Sequence, residues 1–187
     1  MHNDEIWQKY NHNGTSCGNE GHSPSDFKQY PNDVMGNSHI WFWKKSDTGS
    51  VDILLQKRAV TKVSKPGMYH ISAGGHINVG ESPVEAAKRE TQEEMGVELD
   101  EQKLYYVGSM RLVTINPNSI VNVFLYELSG NEQFNYLDGE VDSVEWRSLE
   151  NFKHITSEPD SNNLVNQGQP YFTLLIDSLE HISRKPN

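Results

Sequence analysis

Short runs of alternating apolar and polar residues dominate this chain and predict a strand-rich protein. Branched and aromatic side chains, which are typical of β-strands, are concentrated in residues 38–45, 50–59, 67–77, 103–113, 120–128 and 141–149. Trp41 and Trp43 alternate with Phe42 in the first run, so the two indoles should share one face of a sheet and pack in the core. The sequence SDTG at 46–49 predicts a turn, and TINPNS at 114–119 predicts a break between strands.

One segment has strong signals for both ends of a helix. Ser82 is a good N-cap, and Glu85 three residues later completes a capping box. Pro83 suits the first helical position, where its missing N–H is not needed, and Gly96 is a natural stop. These signals predict a helix over residues 83–95.

The order of the elements predicts the fold class and the domain organisation. Many strands with few helices indicate a mixed α/β (α+β) sandwich in one domain. A second helix is expected within residues 169–182, where apolar residues recur at helical spacing. Residues 1–37 are rich in Asn, Gly and Ser and predict an N-terminal extension, with a candidate β-hairpin turning at Asn13-Gly14. We therefore expect an extension at 1–37 and one domain at 38–187.

The composition argues against a membrane-spanning protein and against a protein that binds membranes or long nucleic acid. The chain has 187 residues, a mean hydropathy of -0.71 and a formal net charge of -10. No run approaches the roughly 20 apolar residues that span a bilayer, and the polar N-terminus resembles neither a signal peptide nor a transit peptide. Cys17 is the single cysteine, which fits a reducing compartment. We expect a cytoplasmic protein that binds neither membranes nor long nucleic acid, because its charge repels phosphates.

The first predicted helix gathers three carboxylates on one side. At about 100° per residue, Glu90, Glu93 and Glu94 form a stripe, with the small Ala86 in line. The stripe expected to face the core contains Val84, Ala87, Thr91 and Met95. Like charges at this spacing destabilise a helix by roughly a few tenths of a kcal/mol per pair. The stripe is therefore either an ordinary solvated face or a set of carboxylates that a bound cation holds together.

The residues around the helix decide between these explanations. In GGHINVGESPVEAAKRETQEEMGV, residues 74–97, five residues separate Gly75 from Glu81 and seven separate Glu81 from Arg89. The segment resembles the Nudix box, G-x5-E-x7-R-E-U-x-E-E-x-G-U, in which U is a bulky apolar residue. All seven fixed positions match, which chance would produce at roughly one start in 10⁸ to 10⁹. Thr91 at the first U position is a mild departure.

This resemblance implies a Nudix-type αβα sandwich with a mixed β-sheet and a strand–loop–helix catalytic motif. It also implies a Mg²⁺ or Mn²⁺ site with hard oxygen ligands. These ligands are a backbone carbonyl near Gly74 and the carboxylates of Glu90, Glu93 and Glu94. The metal would bridge a substrate diphosphate and activate a water. Arg89 is expected to brace the carboxylates, and Glu81 to brace the loop or assist proton transfer.

Other candidates for substrate binding and catalysis lie outside the acidic stripe. Arg58 ends a predicted strand at a place where Nudix proteins often have a phosphate-binding residue, and Arg111 is a similar candidate. The alternative for both is a charge at the rim of the fold. Gly75 and His76 are expected at the substrate, since glycine allows close backbone approach. Glu140 resembles a late-loop acid that serves some family members as an extra metal ligand or base, and the alternative is an ordinary solvated acid of the loop.

The segments SHIWFW, QKRA and PGMYHISAGGHINVGES resemble the isopentenyl diphosphate isomerase branch of the superfamily. Those isomerases use a Cys just before the Gly-His pair and a Glu before the strand that here begins at Ile120. In this chain the Ala73-Gly74 region has no thiol, and NPNS before Ile120 has no carboxylate. Because allylic isomerisation needs a proton donor and an acceptor, the isomerase interpretation is disfavoured. His39 and His76 match two isomerase metal ligands without the others, and are expected to be structural or pocket residues.

The sequence therefore favours a metal-dependent hydrolase that cleaves a diphosphate linkage in a small nucleoside-diphosphate-type substrate by water attack on phosphorus. One alternative is an enzyme like isopentenyl diphosphate isomerase. The other is a Nudix module that binds a nucleotide without cleaving it. Such modules usually lose box acids, whereas all of them are present here.

Overall fold

One mixed β-sheet organises the computed structural model, which describes residues 5–26, 29–30, 32–46, 49–112, 118–136 and 139–184. Its nine strands within these residues are β1 (Trp7–Tyr10), β2 (Ser16–His22), β3 (Val34–Lys45), β4 (Val51–Arg58), β5 (Tyr69–His70), β6 (Ala73–His76), β7 (Tyr105–Leu112), β8 (Ser119–Glu127) and β9 (Val141–Ser148). The helices are α1 (Pro83–Met95), α2 (Leu149–Ser157) and α3 (Gln169–Ser183), and a 3-10 turn covers Glu101–Lys103. No helix in these ranges is long and apolar enough to cross a bilayer.

Strand β3 is the centre of the sheet. It pairs antiparallel with β1 and β6 and parallel with β8, which makes the sheet mixed. It pairs with β4 only at one end, through residues 43–45. Beyond that point β6 pairs with β3, whereas β5 pairs with β4. The sheet therefore splits, and the glycine pair of the box lies on β6 at the split.

Helices cover both faces of the sheet, as expected for an αβα sandwich. On β3, Ile40 and Phe42 belong to the buried cluster that contains Ala87 and Met95 of α1. Trp41 and Trp43 belong to the opposite cluster, whose helical members are Phe152, Ile155, Tyr171, Phe172, Leu175 and Leu179. The prediction that the two indoles share one buried face is confirmed.

The predicted elements are present with changed lengths. The helix predicted over 83–95 has these bounds, and α3 contains the second predicted helix. The run at 67–77 is divided into β5 and β6, because its two halves pair with different strands. The turn predicted at 46–49 and the break predicted at 114–119 lie partly outside the described residues.

Helix α2 is the element that the sequence pattern does not predict. It follows β9 directly, and the Ser148 hydroxyl caps it by accepting a hydrogen bond from the Asn151 N–H at 3.2 Å. Only nine residues long, it contributes Phe152 and Ile155 to the buried cluster below α3. Such a short apolar spacing is difficult to distinguish from the end of a strand.

The N-terminal hairpin is present and joins the main sheet. β1 and β2 are antiparallel, and the Asn11 N–H donates to the Thr15 carbonyl at 2.9 Å across the turn. β1 also pairs with β3, which begins at Val34. The boundary predicted after residue 37 thus falls inside β3, and the division into extension and domain stays a prediction.

Candidate active site

The loop after β6 delivers α1 to the split of the sheet. The Ser82 hydroxyl accepts from the Glu85 N–H at 3.2 Å, while the Glu85 carboxylate accepts from the Ser82 N–H at 2.8 Å. The Ser38 hydroxyl on β3 donates to the Pro83 carbonyl at 2.7 Å. These contacts fix the first turn of α1 against β3, so the acidic side of the helix is held beside β6.

Arg89 lies in the middle of the charged residues of the box. Its Nε donates to Glu81 Oε1 at 2.9 Å, and its Nη2 donates to Glu81 Oε2 at 3.0 Å. Its Nη1 donates to Glu90 at 2.8 Å and to Glu93 at 3.2 Å. Nη2 also donates to the His76 carbonyl at 2.9 Å, which ties the guanidinium to the loop. These contacts are those expected of a residue that braces carboxylates.

Glu94 is buried and accepts hydrogen bonds from the backbone and from a side chain. Its Oε2 accepts from the Gly74 N–H at 2.9 Å and from the Gln56 side-chain amide at 3.1 Å. Such hydrogen bonds compensate the cost of burying a carboxylate. Gly74 has φ 149°, and a Cβ there would lie 2.2 Å from the Ser38 carbonyl oxygen. Only glycine fits this position without a backbone shift.

Glu90 lies directly against Gly75. A Cβ at Gly75 would be 2.3 Å from a Glu90 carboxylate oxygen, so the glycine leaves the space that the carboxylate occupies. Burial raises the Glu90 pKa to about 7, and the nearby charges of Glu93 and Glu5 add to this, although Arg89 opposes it. Glu90 thus gains or loses its proton near neutral pH.

A second group of charges lies at the end of β4. Lys62 forms an ion pair with Glu140, and the Ala59 N–H donates to the Glu140 carbonyl at 2.8 Å. Burial lowers the pKa of the Arg58 guanidinium, and the charges of Glu94 and Glu140 oppose this shift. Arg58 and Glu140, which the sequence proposes separately, therefore lie in one charged group with Lys62 and near Glu94.

Two of the predicted substrate-binding residues have different surroundings. Arg111 is exposed on β7 opposite Ile120 of β8, and no described contact joins it to the box carboxylates. The His76 ring is stacked on Trp7 with 3.6 Å between ring centroids. Burial, together with the charges of Arg89 and Lys62, lowers the His76 pKa to about 3, so the imidazole is neutral.

The similarity to known proteins agrees with this geometry. Residues 40–167 match the NUDIX domain profile, a range that includes the entire box. The chain belongs to the Nudix family. It is 30% identical over 131 residues to Nudix hydrolase 3 of Arabidopsis thaliana, covering 65% of this chain and 17% of that protein. It is 35% identical over 135 residues to isopentenyl-diphosphate Delta-isomerase 2 of Photorhabdus laumondii, covering 70% of this chain and 71% of that protein.

The sequence similarities mostly cover part of each relative, whereas a structural similarity covers nearly a whole protein. Seven further matches to curated relatives, the Arabidopsis protein among them, cover only 17% to 57% of the relative's length. The crystal structure of DR0079 from Deinococcus radiodurans superposes with a TM-score of 0.66 at 18% identity, covering 96% of this chain and 98% of that one. The two proteins therefore share one fold over nearly the whole length of both chains.

The carboxylates of the Nudix box have the right chemistry for a divalent cation, and in this structure they bind donors of the protein itself. Within the described residues, no three His, Cys, Asp or Glu side chains come together to hold a metal ion as they stand. Glu90 Oε1 and Glu93 Oε2 each accept from the Arg89 guanidinium, and Glu94 Oε2 accepts from the Gly74 N–H. The ligands are nevertheless hard oxygens, and a cation would replace the proton of Glu90. The set fits Mg²⁺ or Mn²⁺ through the second oxygens of Glu90 and Glu93, while Arg89 holds the first oxygen of each.

Two residues of the Nudix site were not predicted from the sequence. Gln56 is a polar residue in the apolar run of β4, and its amide donates to Glu94 and to the Ser72 carbonyl. Its position in that run is a signal that could have identified it. Lys62 lies in a polar loop, where nothing distinguishes it from other lysines.

His39 and His76, the two histidines that match isomerase metal ligands, contact aromatic side chains. His39 is buried, and its Nδ1 lies 3.0 Å from the Tyr171 hydroxyl. That hydroxyl also accepts from the Trp41 indole N–H at 2.7 Å. His76 is stacked on Trp7, as described above.

Glu90 should make the stability of the metal-free protein depend on pH. Its folded-state pKa of about 7 lies above the ordinary value of 4.5. The stabilising contribution of its proton is therefore complete below about pH 4.5 and is lost as the pH rises through about 7. We expect Glu90→Gln to raise the free energy of unfolding by about 2–3 kcal/mol at pH 8 and by little at pH 4.5.

Urea unfolding in the presence of a chelator measures this difference. The exposed Glu98→Gln is the matched control and should change stability little at either pH. An equal effect of Glu90→Gln at both pH values would contradict the pKa of Glu90 given above.

Proposed function

We propose that this protein is a metal-dependent hydrolase that cleaves a diphosphate linkage in a small nucleoside-diphosphate-type compound by water attack on phosphorus. The observation that carries the proposal is the arrangement of the box acids: Glu81, Glu90 and Glu93 surround Arg89, and Glu94 lies beside the glycine pair. Similarity to a protein named Nudix hydrolase 3 supports the same reaction class.

The chemistry would divide between the metal ligands and their braces. Glu90, Glu93 and Glu94 would hold a Mg²⁺ or Mn²⁺ ion, which would neutralise the diphosphate and make a bound water acidic. Both oxygens of Glu81 are engaged, by Arg89 and by the Asn78 N–H at 2.9 Å. We therefore assign Glu81 to positioning the loop and Arg89 rather than to proton transfer.

The charged group at the end of β4 would bind and orient the substrate. Arg58 and Lys62 offer cationic donors that suit phosphate oxygens. Glu140 is paired with Lys62 and lies near enough to Arg58 to act on its pKa. In this proposal Glu140 contributes an extra ligand or a base from the late loop. A cytoplasmic location and a small-molecule substrate remain part of the same proposal.

Isomerisation is the second candidate, because the Photorhabdus relative is named an isomerase and is covered over 71% of its length. The backbone argues against it. The isomerase cysteine falls at the Ala73-Gly74 region, where Ala73 is fully buried in the core and Gly74 has no room for a Cβ. Without a thiol there, the proton transfer of the isomerases lacks one partner.

A turnover screen tests the proposal directly. The protein would be incubated with nucleoside di- and triphosphates, nucleotide sugars, dinucleotides and isoprenoid diphosphates, each with Mg²⁺, with Mn²⁺ and with chelator. We expect hydrolysis of one substrate class that requires the metal, and no isomer formation. Metal-dependent isomer formation would overturn the proposal in favour of the isomerase. Tight binding of a nucleotide without cleavage would overturn it in favour of a binding module.

A further inference from the structure

The N-terminal strand is bonded to the loop that leads into the candidate active site. The Gln8 N–H donates to the Ile77 carbonyl at 2.7 Å, and the Val79 N–H donates to the Ile6 carbonyl at 2.8 Å. Trp7 and Asn78 form an antiparallel bridge between these two bonds. Residues 6–8 therefore form a short two-stranded ladder with residues 77–79 of the box.

Trp7 is the side chain by which this strand reaches the charged residues. Its indole stacks on the His76 imidazole with 10° between the ring planes. The His76 carbonyl in turn accepts from Arg89 Nη2 at 2.9 Å. On its polar edge, the Trp7 N–H donates to Glu5 at 3.2 Å. A continuous set of contacts thus runs from Trp7 through His76 to Arg89.

Packing of the hydrophobic core does not explain the position of Trp7. Trp7 is half-buried and belongs to neither of the two large buried clusters. The matched family profile begins at residue 40, so Trp7 lies outside it.

We propose that the N-terminal strand is a working part of the candidate active site, in which Trp7 is a positioning residue that fixes the His76 backbone against Arg89. Through Arg89 it holds Glu90 and Glu93 in the arrangement from which they bind the divalent cation. The inference deepens the proposed function and rests on it for the identity of the bound ion. Residues that orient metal ligands typically change metal affinity or activity by about 10–100-fold when they are replaced.

Aromatic and non-aromatic replacements of Trp7 separate positioning from packing. Trp7→Phe keeps a ring that can stack on His76, whereas Trp7→Ala removes the stack. Mn²⁺ binding, followed by the electron paramagnetic resonance signal of free Mn²⁺, is a readout independent of turnover. We expect Trp7→Ala to weaken Mn²⁺ binding about tenfold and to lower kcat about tenfold, while KM changes little. We expect the Mn²⁺ affinity and the kcat of Trp7→Phe to stay within about threefold of the wild-type values.

Trp146→Ala is the matched control. Trp146 is also a half-buried indole, but it lies on β9 beneath Lys44, with its ring centroid 4.3 Å from the ammonium. Its replacement should lower thermal stability without changing Mn²⁺ binding. If Trp7→Ala fails to fold, Trp7→Leu replaces it, because leucine keeps apolar bulk without an aromatic face.

The tryptophan emission provides a second, spectroscopic test. Paramagnetic Mn²⁺ bound at the carboxylates should quench the emission of Trp7, so the quenching should be larger in the wild type than in Trp7→Phe. Folded Trp7→Ala or Trp7→Leu with wild-type Mn²⁺ affinity overturns the inference, as does equal quenching in wild type and Trp7→Phe. A wild type that binds Mn²⁺ but cleaves nothing would instead overturn the proposed function, and the affinity ratio would still test Trp7.

Discussion

Replacing Glu93 with Gln is expected to reduce turnover by about 100-fold or more without loss of the fold. Glu93 is the most exposed of the three box acids on α1, with 36% of its side chain accessible. Its described contact is the ion pair with Arg89 at 3.2 Å, which Arg89 can lose while keeping Glu81 and Glu90. The change therefore removes a charge that should act on the metal and the transition state, and little that stabilises the helix.

Single-turnover and steady-state rates at saturating Mg²⁺, measured beside thermal unfolding, provide the check. Glu98→Gln is the control, since Glu98 is an exposed acid just beyond the end of α1. It should retain wild-type rates. A Glu93→Gln enzyme with full turnover, or with turnover that chelator does not abolish, would remove the carboxylate stripe from the mechanism.

The parts of this site that the sequence predicts depend on contacts between near neighbours. The capping box joins residues three positions apart, and the Arg89–Glu93 pair joins residues four apart. Helix geometry alone brings such side chains together. The box spacing adds the loop and Glu81. These features follow from a local pattern, and the structure places them together.

The remaining parts depend on pairings that no local pattern contains. Gln56 reaches Glu94 across 38 positions of sequence, and Trp7 meets His76 from a different hairpin. Arg58 and Glu140 come together because β4 pairs with β9. Arg111 shows the reverse: a plausible cation on a predicted strand has no described contact with the site. Tertiary pairing therefore decides which of the charged side chains belong to the site.

The split of the sheet explains why the site forms at this place. β3 and β4 pair at one end only, and the Ser72 hydroxyl links them further along by donating to the Leu54 carbonyl at 2.6 Å and accepting from the Phe42 N–H at 2.8 Å. Immediately after Ser72, β6 turns onto β3 and presents the glycine pair to α1. The backbone N–H of Gly74 and the carboxylate of Glu94 can then meet inside the sandwich.

Gly74→Ala is expected to have the largest effect on stability, at about 3 kcal/mol or more in the free energy of unfolding. The new Cβ would lie 2.2 Å from the Ser38 carbonyl oxygen and 2.9 Å from the Ile71 side chain. Since the nearer atom belongs to the backbone of β3, the strand pair itself must move. For a domain of this size, the melting temperature should fall by roughly 6–12 °C.

Gly49→Ala separates this steric effect from the strain of a positive φ. Gly49 has φ 79°, and a Cβ there would meet no described residue within 4 Å, so only about 1 kcal/mol should be lost. Urea and thermal unfolding of both variants measure the difference. Equal losses would show that β6 adapts to a side chain. The expected larger loss at Gly74 would also mean that a cysteine cannot be placed there without moving β6, so the isomerase thiol cannot be restored by one substitution.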